Sequence, residues 1–152
     1  MIERAAPGRR TPSDWILVGE AMAYLALTGI AVRGLPFKTI AGLASRGGGK
    51  RCIGREIDSV AWAIDAATVR APWRPRCFER GLAAYCMLRR RGGRPILYYG
   101  ARSDDSLGLN AHVWVRAAGR DVVGGEEAAR FAVLAVFPPA LGRHRHIGDT
   151  TL

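Results

Sequence analysis

The sequence predicts an α+β fold in which N-terminal helices pack on a small antiparallel sheet. Apolar residues recur at helical spacing in the first half of the chain, whereas the second half has strand-like runs between turn residues. A chain of 152 residues is long enough for one domain with a buried core. We therefore expect a single domain over 1–152, with a helical part at about 11–92, a sheet part at about 95–137 and a loose C-terminal tail.

The helical part divides into four predicted segments. In the first, 11–34, Thr11 is a suitable N-cap and Pro12 suits the first helical position. Its apolar run over 15–32 approaches the length of a membrane span, but Glu20 would be costly in lipid, so a helix that faces the core or a partner is favoured over membrane contact. The other predicted segments are a short helix at 37–45, a helix at 52–70 after the basic loop 46–51, and a helix at 77–91 that ends at two glycines.

Strand signals begin after that last helix. Residues 95–102 and 109–116 read as strands, and a turn at Ala118-Gly119 leads into a returning strand that starts at Asp121. In 109–116 the apolar residues alternate with a more polar set that includes His112. A short helix is predicted near 126–133.

The composition is basic, with a formal net charge of +10. This charge favours acidic partners of any class, whether nucleic acid, anionic lipid or an acidic peptide. Few aromatic residues alternate with the basic ones, so nucleic acid is not expected as the partner. The three cysteines form no CxxC pair and no secretory signal is present, which indicates free thiols and a cytoplasmic protein without a metal site or cofactor.

Cys77 lies where the predicted helix 77–91 begins. Unpaired amides and the positive end of the helix dipole favour the thiolate there, and Arg76 and Arg80 add positive charge. The alternative is a small residue that packs at this position. Cys86 is nine residues further on and points to the opposite side of the helix. The side that carries Cys77 also carries small residues, which would let a sheet approach closely.

A nucleophilic thiol needs a base, and His112 is the histidine that lies within a predicted strand. The order of helix-start cysteine and strand histidine is that of papain-like and transglutaminase-like enzymes. The blocks PWRPRCFERGLAAYCMLRRRGG and AHVWV resemble the leader peptidases of lasso-peptide biosynthesis, a family of the transglutaminase-like superfamily, over about 12–137. The resemblance implies a transglutaminase-like (papain-like) cysteine protease fold, with Cys77 as nucleophile and His112 as general base and acid. It also implies cleavage of the leader peptide from a ribosomally synthesised lasso-peptide precursor.

The resemblance also implies an acidic residue opposite His112, and the sequence leaves its identity open. Glu126 is near the expected position, Asp121 is next to the turn, and a Cys–His dyad is the third alternative. Asp121 is also a suitable turn residue that pairs with Arg116 or Arg120. The Cys77 amide is a candidate oxyanion donor, with Trp73 or Asn110 as candidates for a second donor or substrate contact.

By the same resemblance, the partners are the precursor's leader region, a separate leader-binding recognition protein and the ATP-dependent macrolactam cyclase of the pathway. Two other functions remain open. An acyl-transferring transglutaminase-like enzyme would use the same Cys77 and His112 and would differ in its product. A non-enzymatic basic binding module would not depend on Cys77 and would show salt-sensitive DNA binding.

Overall fold

The computed structural model describes residues 11–35, 39, 54–104 and 108–138. It has the expected α+β class, with helices on one side of a four-stranded antiparallel sheet. In chain order the elements are α1 (Pro12–Gly34), α2 (Gly54–Arg70), α3 (Cys77–Arg90), β1 (Ile96–Asp104), β2 (Gly108–Ala117), β3 (Arg120–Val123), a 3-10 helix (Gly125–Arg130) and β4 (Ala132–Phe137).

Four features of the sequence analysis lie outside the described residues. They are the helix predicted at 37–45, the loop 46–51, Cys52 and the C-terminal tail from 139 onward. Within 37–45 the structure describes Thr39 alone, which is helical.

The sheet has the strand order β3-β2-β1-β4. The predicted turn at Ala118-Gly119 is confirmed: both residues have positive φ, 49° and 77°, as a two-residue hairpin that matches the strand twist requires. This turn sets Arg116 opposite Asp121, and an irregularity between Val115 and Arg116 then shifts the pairing of the two strands. The hairpin therefore determines which residues of β3 and the following segment face His112.

The helix predicted near 126–133 is wrong in type and extent. A 3-10 helix covers Gly125–Arg130, and the apolar run that follows forms β4, which pairs with β1. Periodicity cannot distinguish a short apolar run in a strand from one in a helix. The tertiary pairing with β1 decides in favour of the strand here.

The core lies between the helices and one face of the sheet. Buried residues of α2 and α3, such as Ile64 and Leu88, meet Val113 and Val115 of β2 and Leu97 of β1. The helix approaches the sheet closely at Gly81 of α3, where a β-carbon would lie 2.6 Å from Cγ1 of Val113. The small residues on this side of α3 thus admit the sheet, as the sequence predicted.

The alternation predicted for β2 is only partly realised. Val113 and Val115 are buried on the helix side, but Leu109, assigned to the same face, is 74% exposed. On the opposite, nominally polar face Trp114 is only 4% exposed, because it stacks on Tyr98 with ring centroids 5.4 Å apart. The outer face of the sheet therefore has an aromatic cluster of its own.

α1 begins as predicted, with Thr11 as N-cap and a reciprocal hydrogen bond from the Thr11 amide to Asp14. By length and composition alone the helix could cross a membrane, although 28% of the apolar window is buried within the protein. Val18, Ala21 and Leu25 pack toward α2 and α3, whereas Ile16, Leu27 and Ile30 form an exposed apolar stripe.

Glu20 is a charged residue within this apolar helix, and its arginine partners explain why it is there. It accepts hydrogen bonds from Arg91 (2.6 and 3.0 Å) and Arg90 (3.2 Å), which lie at the C-terminal end of α3. The hydrogen bond from Arg91 lowers the pKa of Glu20 below its ordinary value of 4.5, against the opposing effect of burial. The ion pair therefore joins α1 to the end of α3.

The first prediction concerns this ion pair. Because the pKa of Glu20 is lower in the folded state, its contribution is complete above pH 4.5 and is lost as the pH falls through the folded-state value. We expect Glu20→Gln to reduce the free energy of unfolding by about 1–2 kcal/mol at pH 7, and by progressively less below pH 4.5. Urea unfolding over a pH series measures both effects. Glu127→Gln, in an exposed pair with Arg130, is the control and should change little.

The second prediction concerns the helix–sheet contact. Gly81→Ala forces Val113, which is stiff and buried, to move, and should destabilise the protein by about 1–3 kcal/mol. Gly19→Ala is the matched control, since a β-carbon there meets nothing within 4 Å and should stabilise α1 by up to about 1 kcal/mol. Equal effects of the two substitutions on thermal unfolding would contradict the proposed contact.

Candidate active site

Cys77 is the first residue of α3, and its side chain is half-buried. Arg76 precedes it as the N-cap in extended conformation, with φ −80° and ψ 163°. The amides of the first turn lack intrahelical acceptors, and the dipole of α3 is positive at this end. The structure thus places the Cys77 thiol at a helix start, as the sequence predicts.

The two arginines next to Cys77 have different roles. The Arg76 amide donates to Glu79 Oε2 at 3.2 Å, and this bond completes the start of the helix. Arg80 lies 3.0 Å from Asp65 of α2 in an ion pair. Its charge is therefore shared with a carboxylate of α2.

Cys86 is a poor candidate for a nucleophile. Burial raises the pKa of the Cys86 thiol, against the smaller opposing effect of Arg89. The side chain packs against the core. Since the thiolate is the reactive form, the structure distinguishes the two cysteines of α3 by their surroundings.

His112 of β2 has a defined hydrogen-bond partner. Its Nε2 lies 2.8 Å from the carbonyl oxygen of Gly124. A carbonyl can only accept, so Nε2 carries the hydrogen and donates, and in the neutral ring Nδ1 is then the basic nitrogen. The structure thus provides an oriented imidazole with one basic position.

Two aromatic rings also hold the imidazole. Trp114 stacks beside it at 6.0 Å between centroids, and Phe131 lies at 4.9 Å on the segment that leads into β4. The guanidinium carbon of Arg102 lies over the ring of Phe131, 5.3 Å from its centroid. The ring orientation of His112 therefore depends on β2, on Gly124 and on the start of β4 together.

The partner of His112 Nε2 is the Gly124 carbonyl and not one of the two acidic candidates that the sequence leaves open. Asp121 accepts hydrogen bonds from Arg116, as its interpretation as a turn residue required, and this bond raises the pKa of Arg116. Glu126 is exposed on the 3-10 helix. The position is taken by the backbone carbonyl of Gly124, whose φ of 74° suits glycine.

The structure brings the segments of Cys77 and His112 together but does not join their side chains. One helical turn after Cys77, Gly81 rests on Val113, the neighbour of His112. Strand alternation places the His112 ring on the other side of β2, with Trp114. A base must come within hydrogen-bond reach of its nucleophile, so catalytic pairing of Cys77 with His112 remains a prediction.

The remaining predicted residues lie near these two segments. Trp73 precedes α3 and packs against the core, and Asn110 is half-buried on β2, opposite Arg102. Neither side chain forms a hydrogen bond at Cys77 that would identify it as an oxyanion donor. Within the described ranges, no group of three or more His, Cys, Asp or Glu side chains could hold a metal ion.

Sequence reasoning missed Glu79. Its side chain is 1% exposed, two residues after Cys77, and it bonds both to the helix start and to Arg33 of α1. The sequence did carry one signal for this role. Glu79 lies three residues after the N-cap Arg76, which is the spacing of a capping box, although such a box ordinarily begins with Ser or Thr.

Comparison with known proteins identifies one family. A model of the transglutaminase-like superfamily matches residues 22–136, which include α3, the strands β1 to β3 and all of β4 except its last residue. Searches of curated protein sequences and of solved structures gave no match.

The third prediction tests the difference between the two thiols. In a Cys52→Ala background at pH 7, iodoacetamide should modify Cys77 at least about tenfold faster than Cys86, because burial disfavours the Cys86 thiolate. Peptide mapping by mass spectrometry gives both rates. Cys86→Ala should keep the fast reaction and Cys77→Ala should abolish it; equal rates at the two sites would contradict the assignment.

Proposed function

Because the chain belongs to the transglutaminase-like superfamily, we propose that it is a cysteine peptidase that removes the leader from a ribosomally made lasso-peptide precursor. Membership of the superfamily indicates cysteine-protease or acyltransferase chemistry. The choice of substrate rests on the resemblance of the block around Cys77 and the block AHVWV to leader peptidases of that pathway.

The observation that carries the proposal is the position of Cys77 at the first residue of a helix that packs, one turn later, on the strand of His112. This arrangement combines a thiol at a helix start with an imidazole whose tautomer is set by Gly124. In the proposed reaction His112 Nδ1 takes the proton of Cys77. Because the His112 ring lies on the side of β2 away from α3, this step requires the ring to reach the thiol when substrate is bound.

The chemistry then follows in two steps. Cys77 Sγ bonds to the scissile carbonyl carbon, the carbon–nitrogen bond breaks, and the imidazolium of His112 gives its proton to the leaving amine. Water next attacks the thioester, with His112 as base, which releases the leader as a carboxylic acid and restores the thiol. The Cys77 amide at the helix start is the proposed oxyanion donor.

Acyl transfer is the second function that superfamily membership favours. An amine would then replace water in the second step, on the same thioester at Cys77. The two reactions differ in product mass, since hydrolysis adds one water across the cleaved bond. Neither reaction requires a cofactor.

We also propose partners for the peptidase. The exposed apolar stripe of α1, formed by Ile16, Leu27 and Ile30, is the proposed docking surface for a separate leader-binding protein. The net charge of +10 favours an acidic leader. The macrolactam cyclase would act on the released core peptide, in the cytoplasm.

The fourth prediction is the direct test of function. Wild-type protein, incubated with a candidate precursor and its leader-binding protein, should yield intact leader and core peptides by mass spectrometry. Cys77→Ala should reduce cleavage by at least about 10³-fold, since the nucleophile is lost. His112→Ala should reduce it by about 10²–10⁴-fold, the usual effect of general acid–base catalysis.

His144→Ala and His146→Ala are matched controls and should cleave like wild type. If His112→Ala cleaves normally while Cys77→Ala is inactive, His112 remains on the outer side of β2 during the reaction. A different residue then acts as the base. Cleavage that survives Cys77→Ala would refute the peptidase proposal.

A further inference from the structure

Glu79 is a buried carboxylate in the same helical turn as Cys77, and the proposed reaction does not use it. Its side chain is 1% exposed, although a charged side chain is rarely buried without a partner. Arg33 of α1 is that partner, with Nη2 3.3 Å from Glu79 Oε1. The second carboxylate oxygen accepts the Arg76 amide at 3.2 Å, at the residue before Cys77.

Further contacts hold this turn against α1. The Thr28 hydroxyl donates to the Glu79 carbonyl at 3.1 Å, and Thr28 is itself buried. Arg33 also donates to the Gly29 carbonyl at 3.0 Å, which fixes its guanidinium beside the carboxylate. A β-carbon at Gly29 would lie 3.1 Å from Arg33 Nη1 and 3.6 Å from the Glu79 carboxyl carbon, so glycine gives the pair its room.

We propose that Glu79 is a positioning residue for Cys77, and that Arg33 balances the negative charge of the Glu79 carboxylate. The carboxylate ties the start of α3 to α1 through Arg76 and Arg33. A carboxylate in the same turn as a reactive thiol would disfavour the thiolate, and the guanidinium of Arg33 offsets that effect. The inference rests on the proposed role of Cys77 as nucleophile.

The other charged groups near this turn do not replace Arg33. Arg80 of α3 pairs with Asp65 of α2 at 3.0 Å, and Arg76 contributes its backbone amide to Glu79. On the sheet, the ring of His112 lies on the side of β2 away from α3, and its hydrogen bond goes to Gly124. Loss of Arg33 should therefore leave the charge of Glu79 without its counter-charge.

The fifth prediction is a double-mutant cycle, read by the rate of iodoacetamide reaction against pH in a Cys52→Ala, Cys86→Ala background. Arg33→Met should move the midpoint of this profile upward by about one pH unit, the size expected for a nearby charge at an effective dielectric of about 20. Glu79→Gln keeps an acceptor for the Arg76 amide but removes the charge, and should move the midpoint downward. The double variant should lie between the two single variants.

Two further variants separate positioning from stability. Arg33→Lys keeps the positive charge and should restore the wild-type midpoint. This variant also tests the proposal if Glu79→Gln does not fold. Glu20→Gln breaks another α1–α3 ion pair, at the far end of α3, and should leave the midpoint unchanged although it reduces stability. The inference would be overturned if the midpoints of Arg33→Met and Glu79→Gln moved in the same direction, or if neither moved further than that of Glu20→Gln.

Precursor cleavage gives an independent measurement. Arg33→Met should lower kcat about tenfold with KM unchanged within twofold, since substrate binding is not altered. If wild type cleaves no precursor but the midpoints shift as stated, the proposed function fails and the positioning role stands. If wild type cleaves and the midpoints do not move, the positioning role fails alone.

Discussion

The close contact between α3 and β2 at Gly81 is the constraint on which the rest of the structure depends. With a β-carbon at 81 only 2.6 Å from Cγ1 of Val113, a larger residue would push the helix off the sheet. The depth of α3 on the sheet determines where its N-terminus lies, and Cys77 is one turn before the contact. Core packing and the position of the candidate nucleophile therefore have the same origin.

Two ion pairs hold α3 against α1, one at each end of the helix. Glu20 binds Arg91 at the C-terminal end, and Glu79 binds Arg33 at the end that carries Cys77. In both pairs the carboxylate is the more buried member, so the arginine remains closer to water. This arrangement limits the cost of bringing charges into an apolar helix interface, because the arginine retains part of its hydration.

The candidate site was only partly predictable, for reasons that differ between residues. The helix start at Cys77 and the turn at Ala118-Gly119 follow from local signals, and both are present in the structure. The surroundings of His112 do not follow from local signals. Its hydrogen bond to Gly124 depends on the strand irregularity after Val115, and its contact with Phe131 depends on the pairing of β4 with β1.

The sequence by itself determined the α+β class, the order of the described elements from α1 to β3, the start of α3 at Cys77 and the small residues that admit the sheet. Each of these depends on neighbours within a few positions of the chain, through helical spacing, strand alternation or turn conformation. The tertiary structure decided that Trp114 is buried, that residues 132–137 form a strand, that Gly124 orients His112 and that Glu79 is paired with Arg33. These outcomes join residues far apart in sequence, and only the packing of whole elements determines which of them meet.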